Sequence, residues 1–230
     1  MIGDGDAMTI AMPPPTPERE LACYGNRFRQ RRLERLLTII DQIVAERGTC
    51  RILDVGGAAG YWLYLEPLWR GRPIHITMVN KIEVPPPDER FASFVGDARD
   101  LRQFADLSFD LVHSNSVIEH VGLWNDKRRM AQEIRRLAPR YFVQTPNYWF
   151  PIEPHLRMPF IHWLPYPWRV KVVMHRACGY YPRAKSYGEA REILDDARLL
   201  DAKSAALLFP DAVIERERFA GITKSLIAIR

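Results

Sequence analysis

The sequence predicts an α/β fold: a Rossmann-like, doubly wound sheet of seven mostly parallel strands, with a C-terminal antiparallel hairpin and an aromatic insertion. Three observations predict it. Short apolar, β-branched runs alternate with helical segments at close spacing, which is typical of parallel sheets covered by helices. The first run leads directly into a glycine-rich turn. The last two runs, 213–218 and 224–229, are separated by a short loop, as in a hairpin.

Length and composition are those expected of a cytoplasmic enzyme domain. The chain has 230 residues, of which 47% are hydrophobic, and this suits one domain with a modest extra element. No apolar run approaches the roughly 20 residues that span a bilayer, and the first residues lack the pattern of a secretory signal. The cysteines have no metal-ligand spacing, so we expect reduced thiols at Cys23, Cys50 and Cys178.

The net charge of +5 does not by itself indicate a nucleic-acid partner. The excess is spread over a chain with 28 acidic residues, and no nucleic-acid recognition motif stands out. We therefore expect no nucleic acid among the partners.

Residues 1–17 are predicted to form a disordered tail, because prolines and polar residues dominate their composition. Residues 18–230 are predicted to form a single domain that begins with a helix near Glu18. Arginines cluster on one side of this helix, either as a solvated face or as a contact for an acidic group. Its apolar positions follow helical spacing: Leu33, Leu36, Leu37, Ile40, Ile43 and Val44.

The first strand and the turn after it carry the strongest functional signal. Residues 52–55 are typical of a buried parallel strand, and the turn contains Gly56, Gly57 and Gly60. Glycine allows a backbone to turn sharply and to approach a ligand closely. The next segment, 61–69, is predicted to be a helix with its free N–H groups facing that ligand. The pattern indicates a nucleotide-like cofactor.

The spacing of this turn distinguishes between two known loop patterns. The dinucleotide pattern Gly-x-Gly-x-x-Gly fits poorly, because Ala58 and Tyr61 occupy two of its glycine positions. The turn instead resembles the Asp-x-Gly-x-Gly-x-Gly loop of class I S-adenosylmethionine-dependent methyltransferases, and the chain looks like their bacterial type 11 group. The likeness covers most of 50–145 and, more loosely, 187–230. It implies S-adenosylmethionine as the cofactor, with contacts from Asp54, Gly56, Gly57, Ala58 and Gly60.

The second strand, 74–79, ends at Asn80. In the family, the residue at this position is usually acidic and binds both ribose hydroxyls. An amide can still accept one hydrogen bond and donate another, and Glu83 is a nearby substitute. The resemblance therefore implies that an Asn80→Asp variant would bind cofactor at least as well.

The ends of the next two strands, 91–95 and 109–114, also match family positions. Asp97 corresponds to the acceptor for the adenine amino group, and Ala98 to a backbone donor at the ring edge. Ser114 and Asn115 correspond to contacts with the methionine amino group and the sulfonium. In the same family, an N-terminal helix often closes the cofactor pocket, which implicates Tyr24, Arg29 and Arg32.

An aromatic, proline-rich insertion at 146–183 follows the fifth strand, 141–144. Because it leaves the sheet at the edge where cofactors bind, we expect it to be a substrate lid. Its rings could line an acceptor pocket, form a small core, or contact a membrane surface. They are Tyr148, Trp149, Phe150, Phe160, Trp163, Tyr166 and Trp168.

Candidate catalytic residues lie in the insertion and after the fourth strand. His155 is suited to proton transfer near neutral pH, with Glu153 as its orienting partner; a loop-anchoring role for His155 is the alternative. Glu119 and His120 resemble part of the Glu-x-x-Glu-His metal motif of some methyltransferases. The first carboxylate of that motif is missing, so a metal would need further ligands such as His155 or Glu153, and we expect no metal.

The resemblance implies transfer of a methyl group from S-adenosylmethionine to a small-molecule acceptor by direct in-line displacement. Such chemistry requires mainly alignment and desolvation from the protein. Two alternatives remain. One is methylation of a lipid or quinone intermediate at a membrane surface, and the other is a cofactor-binding protein without transferase activity.

Overall fold

A computed structural model describes residues 27–230 of the chain, apart from the side chains of Arg27 and Arg29. These residues form two compact units. The sheet unit comprises 27–150 and 198–230, and the inserted unit comprises 151–197. The inserted unit overlaps the insertion predicted at 146–183. Some predictions lie outside the described residues: the tail at 1–17, the helix start at Glu18, and the roles of Cys23, Tyr24 and the Arg29 side chain.

Seven strands form the main sheet in the order β3-β2-β1-β4-β5-β9-β8. Strands β1 to β5 run parallel, β9 is antiparallel to β5, and β8 is antiparallel to β9. This confirms the predicted doubly wound sheet and its closing hairpin. The strands are β1 Cys50–Val55, β2 Ile74–Asn80, β3 Phe91–Val95, β4 Leu111–Asn115, β5 Arg140–Pro146, β6 Ile152–Glu153, β7 Met158–Pro159, β8 Val213–Phe219 and β9 Ile222–Ile229.

Helices follow the predicted alternation, with one difference. The single helix predicted at 61–69 consists of two short helices that meet at Leu65. The break has a local cause: Pro67 has no N–H, and its ring would clash with the carbonyl of Leu63 in a continuous helix. The helices are α1 Arg27–Arg47, α2 Ala59–Tyr64, α3 Glu66–Trp69, α4 Trp124–Leu137, α5 Tyr166–His175, α6 Tyr187–Asp195 and α7 Ala202–Leu208, with 3-10 turns at Ile118–His120 and Ile161–Trp163.

The sheet is buried on both faces, as a parallel sheet requires. On one face, α1 packs Leu36 and Ile40 in the same core as Ile52 of β1. On the other face, Met130 of α4 shares a core with Leu53 of the same strand. Because neighbouring residues of β1 point to opposite cores, the strand is held between two layers of helices and its carboxyl end has a fixed position.

The inserted unit has its own small core, which includes Ile161, Val170, Val173 and Tyr181. Its strands β6 and β7 form a two-stranded antiparallel ribbon that the sequence did not predict, since each strand has only two residues. Among the described residues, no helix is long and apolar enough to cross a membrane.

Candidate functional site

The glycine loop after β1 is shaped by two side chains beneath it. Gly56 has a φ of +71°, and a Cβ there would lie 2.5 Å from Cγ2 of Val117. A Cβ on Gly57 would lie 1.9 Å from Oδ2 of Asp54. Real atoms cannot approach so closely, so both positions require glycine. Ala58 precedes α2 and Gly60 lies in its first turn.

Asp54 supports this loop from the protein interior. Its side chain is almost fully buried, and Oδ2 accepts a hydrogen bond from Nε1 of Trp62 at 2.7 Å. Oδ1 lies 2.7 Å from Nδ1 of His113. These contacts hold the carboxylate under the loop, and a direct contact with cofactor stays a prediction.

His113 and Trp62 were missed by sequence reasoning. His113 is buried in β4, and its ring stacks between Tyr61 and Phe142 at centroid distances of 5.6 and 6.1 Å. Asp54 and His113 are direct register partners on adjacent strands. The sequence did offer one signal for this pair: Asp54 and His113 are each a polar residue near the carboxyl end of a buried strand.

Asn80 at the end of β2 is joined to the glycine loop. Its Nδ2 donates a hydrogen bond to the backbone carbonyl of Gly57 at 2.9 Å. The amide oxygen remains as the acceptor of this side chain for a ligand hydroxyl. Asn80 thus differs from the usual acidic residue in a specific way, because a carboxylate cannot donate to that carbonyl.

We expect Asn80→Asp to weaken cofactor binding, which reverses the expectation from family resemblance. The substitution removes the donor and places an anionic oxygen next to the Gly57 carbonyl. A lost hydrogen bond with an unsatisfied partner costs about 1–3 kcal/mol, which corresponds to roughly 5–150-fold in affinity. Calorimetric titration with S-adenosylhomocysteine measures it. The matched control is Asn125→Asp, the same change at an exposed position of α4; equal affinities for both variants would contradict the role assigned to Asn80.

Asp97 follows β3 and is held by Arg99. Nε and Nη2 of Arg99 lie 2.9 and 2.5 Å from the Asp97 carboxylate, and the Arg99 backbone N–H also donates to it. The guanidinium lowers the pKa of Asp97 to about 2, so the carboxylate is ionised at neutral pH. Arg99 also contacts Asp126 of α4 at 3.2 Å. Ala98, between the pair, is half-buried.

Ser114 and Asn115 at the end of β4 have different environments. Ser114 is completely buried and donates its hydroxyl to the Val55 carbonyl at 3.1 Å, which ties β4 to β1. Asn115 accepts a hydrogen bond from Nη1 of Arg32 at 2.6 Å. Arg32 also lies 3.3 Å from Glu217 of β8. Helix α1 is therefore fixed to the edge of the sheet where β4 ends.

Two buried charged side chains, Glu119 and Lys127, hold the 3-10 turn after β4 in place. Glu119 is buried, and Oε2 accepts a hydrogen bond from the Thr145 hydroxyl at 2.9 Å. Lys127 donates to the Ile118 carbonyl at 2.7 Å, and burial lowers its pKa to about 8. His120 is half-buried in the same turn. These contacts fix the turn next to the end of β5.

Glu153 and His155 come together within the inserted unit. Nδ1 of His155 lies 2.7 Å from Oε1 of Glu153. The Glu153 carboxylate is buried and also accepts from the backbone N–H of Leu156. This is the arrangement in which a carboxylate orients an imidazole for proton transfer.

A cavity of about 260 Å³ lies in the sheet unit near the carboxyl end of β5. Along β8, Glu215 and Glu217 pair with arginines of α1, so alternation turns Arg216 toward the opposite face. Arg216 is exposed and has no hydrogen-bond or ion-pair partner within the described part of the chain. The cavity is lined by Asn147, Trp149, Ala202, Arg216, Ile222, Thr223 and Leu226.

Comparison with known proteins shows a similarity to methyltransferases. A family model described as a methyltransferase domain matches residues 74–140. No curated protein sequence matches the chain. A solved S-adenosylmethionine-dependent methyltransferase from Methanosarcina mazei is similar, with 14% identity, a TM-score of 0.51, and coverage of 81% of this chain and 95% of that chain.

Two further solved structures are more distant in fold. The 1,6-didemethyltoxoflavin-N1-methyltransferase of Burkholderia thailandensis, solved with 1,6-didemethyltoxoflavin and S-adenosylhomocysteine, has 14% identity, a TM-score of 0.48, and coverage of 96% of this chain and 92% of that chain. A protein described as a methyltransferase from an antibiotic biosynthesis pathway of Anabaena variabilis has 18% identity and a TM-score of 0.46, with coverage of 80% of this chain. The present chain spans only 64% of the length of that Anabaena chain.

Proposed function

We propose that the chain is a class I S-adenosylmethionine-dependent methyltransferase and that it methylates a small anionic acceptor. The main observation in support of this cofactor is the glycine loop, which lies between Asp54 and Asn80 at the ends of β1 and β2. The bound cofactor supplies an electrophilic methyl group. The protein's contribution is to align the acceptor and exclude water.

The residues around the loop fit this cofactor. Asn80 retains an amide oxygen for a ribose hydroxyl, and Asp97 retains a negative charge suited to accepting from the adenine amino group. Ser114 and Asn115 would lie beside the methionine part, with the Asn115 side chain oriented by Arg32. The test is calorimetric titration with S-adenosylmethionine and S-adenosylhomocysteine, with NAD as the control. Micromolar binding of the first two compounds and no binding of NAD would support the assignment, whereas no binding of any of the three would contradict it.

The acceptor half of the proposal rests on the cavity beside Arg216. Its wall combines Trp149 and Leu226 with this single cation. Small-molecule sites are mostly apolar with a few polar groups that fix orientation, and a guanidinium matches a carboxylate or phosphate geometrically. The cavity therefore suits a planar or apolar acceptor with one anionic group. Turnover would separate this function from that of a cofactor-binding protein without activity.

We expect Arg216→Gln to raise KM by roughly 10–100-fold for an aromatic carboxylate acceptor, because a hydrogen bond to a charged group contributes about 1.5–3 kcal/mol. Cofactor affinity should not change. Methyl transfer from labelled cofactor to a panel of aromatic carboxylates, each paired with its neutral amide, measures the effect. Arg218→Gln, an exposed arginine of the same strand, is the matched control. If Arg216→Gln raises the KM for the carboxylates and for their neutral amides equally, the result would contradict an anion contact at Arg216.

We propose that the inserted unit acts as the substrate lid. Within it, His155 would remove the proton from the acceptor's attacking atom, with Glu153 as its positioning residue. His155→Ala is then expected to leave cofactor affinity intact and to reduce kcat by roughly 100–10,000-fold, the usual contribution of general base catalysis. A pH–rate profile measures the loss, since the limb that reports the base should disappear in the variant. An active variant with an unchanged profile would leave His155 a structural residue.

A further inference from the structure

The inserted unit presents large aromatic side chains to solvent. Phe160, Trp163 and Trp168 are 53%, 39% and 61% exposed, and Leu164 beside them is 39% exposed. Rings of this size usually contribute to a core or an interface. Three such rings and one leucine within nine residues form an exposed apolar surface, which we call the aromatic face: Phe160, Trp163, Leu164 and Trp168.

Helix α5 continues this surface with a defined outer side. Its Val170 and Val173 are buried in the core of the inserted unit. Trp168, Lys171 and His175 are exposed and lie three and four residues apart, which places them on one side of the helix. The ammonium of Lys171 lies 5.3 Å from the centroid of the Trp168 ring. The outer side of α5 is therefore aromatic and cationic together.

The charge of the surrounding segment has one sign. Between Pro154 and Gly188 the sequence contains six lysines and arginines and no aspartate or glutamate. Two of the cations, Arg169 and Lys171, follow Trp168 directly in sequence, and Arg169 is held in place by a 2.7 Å hydrogen bond from Nε to the Leu164 carbonyl. An anionic surface approaching the aromatic face would meet no like charge within this segment.

We propose that the aromatic face is an interfacial docking surface for an anionic lipid bilayer. Tryptophan favours the boundary between headgroups and acyl chains, and lysine and arginine near an anionic leaflet each contribute about 1 kcal/mol. Here a cation, Lys171, lies directly against one of the rings, Trp168, whereas a protein interface usually has an apolar centre with a polar rim. The protein lies on the bilayer through α5 and the loop before it. This proposal concerns the surface alone and does not depend on the methyl acceptor.

Co-sedimentation with vesicles tests the proposal. The full chain is mixed with neutral phosphatidylcholine vesicles, and with vesicles containing phosphatidylserine at about one lipid in three. We expect binding to the anionic vesicles, at least 10-fold weaker binding for the double variant Trp163→Ala/Trp168→Ala, and about fivefold weaker binding for Lys171→Gln. Trp124→Ala and Lys203→Gln, exposed residues of the sheet unit, are the matched controls and should bind like the wild type.

Two results would overturn the proposal. One is an absence of binding to anionic vesicles at low salt. The other is binding that falls with Lys171→Gln but not with the tryptophan double variant, since that would be unspecific attraction of a basic protein. Tight binding of an acidic protein or RNA in which the two tryptophans matter, with no vesicle binding, would assign the aromatic face to that class of partner instead.

Discussion

Gly57→Ala is expected to lower the affinity for S-adenosylmethionine by roughly 100-fold or more. The added Cβ would lie 1.9 Å from Oδ2 of Asp54, and that carboxylate cannot move aside, because Trp62 and His113 hold its two oxygens. The loop itself must shift. Steric overlap in a packed region costs about 1–3 kcal/mol, occasionally more, and the shift also displaces the Gly57 carbonyl to which Asn80 donates.

Calorimetry with S-adenosylhomocysteine, together with a thermal unfolding curve, measures this effect. Gly188→Ala is the matched control, since a Cβ there would lie an ordinary 3.7 Å from Oγ of Ser186. This position is in α6, where alanine is more favourable than glycine, so the control should bind normally. A Gly57→Ala variant that binds the cofactor as tightly as the control would show that the loop is not fitted to Asp54.

The main strands of the sheet could be predicted because each of them carries its own signal in the sequence. The run at 52–55 is too apolar for an exposed strand, and the two final runs are close enough to pair directly. In a parallel sheet the carboxyl ends of the strands meet at one edge. That geometry was sufficient to place Asn80, Asp97 and Asn115 at or just after the ends of successive strands without any knowledge of side-chain contacts.

What each polar residue contacts could not be predicted in the same way. Ser114 is one example: the sequence predicts it beside the cofactor, and only the structure shows that its hydroxyl donates a hydrogen bond to the Val55 carbonyl. Which groups meet across two strands depends on their register, since a slip of one residue turns every side chain to the other face. The inserted unit is a second example. Its ribbon depends on two residue pairs, Ile152 with Pro159 and Glu153 with Met158, and such short pairings have no periodicity.

Asn80 shows how a departure from a family pattern acquires a physical meaning. By resemblance, an amide in place of a carboxylate looked like a weakened ribose contact. With the Gly57 carbonyl 2.9 Å away, the amide has a task that a carboxylate cannot perform. The loop in this chain is thus held from below by Asp54 and from the side by Asn80.

Asp54→Ala is expected to destabilise the fold by about 3–5 kcal/mol. The change leaves the indole N–H of Trp62 and Nδ1 of His113 buried without their partner, and each such group costs about 1–3 kcal/mol. The side chains involved are nearly inaccessible, so water cannot replace the carboxylate without a rearrangement of the core. For a chain of this size, each kcal/mol lowers Tm by roughly 2–4 °C, so the expected fall is about 6–20 °C.

Chemical and thermal denaturation measure this loss of stability, and two further variants test whether it comes from the buried contacts of Asp54. Asp54→Asn keeps one acceptor oxygen and should lose about half as much stability. Asp41→Ala removes a surface carboxylate that pairs with Arg72 at 2.6 Å and is 51% exposed, and exposed pairs contribute at most about 1 kcal/mol. If Asp54→Ala costs no more than Asp41→Ala, the buried contacts of Asp54 do not stabilise the sheet, and the carboxylate is retained for the ligand alone. If the cost is large and Asp54→Asn recovers half of it, the carboxylate stabilises the strand ends and holds the glycine loop in the same contacts.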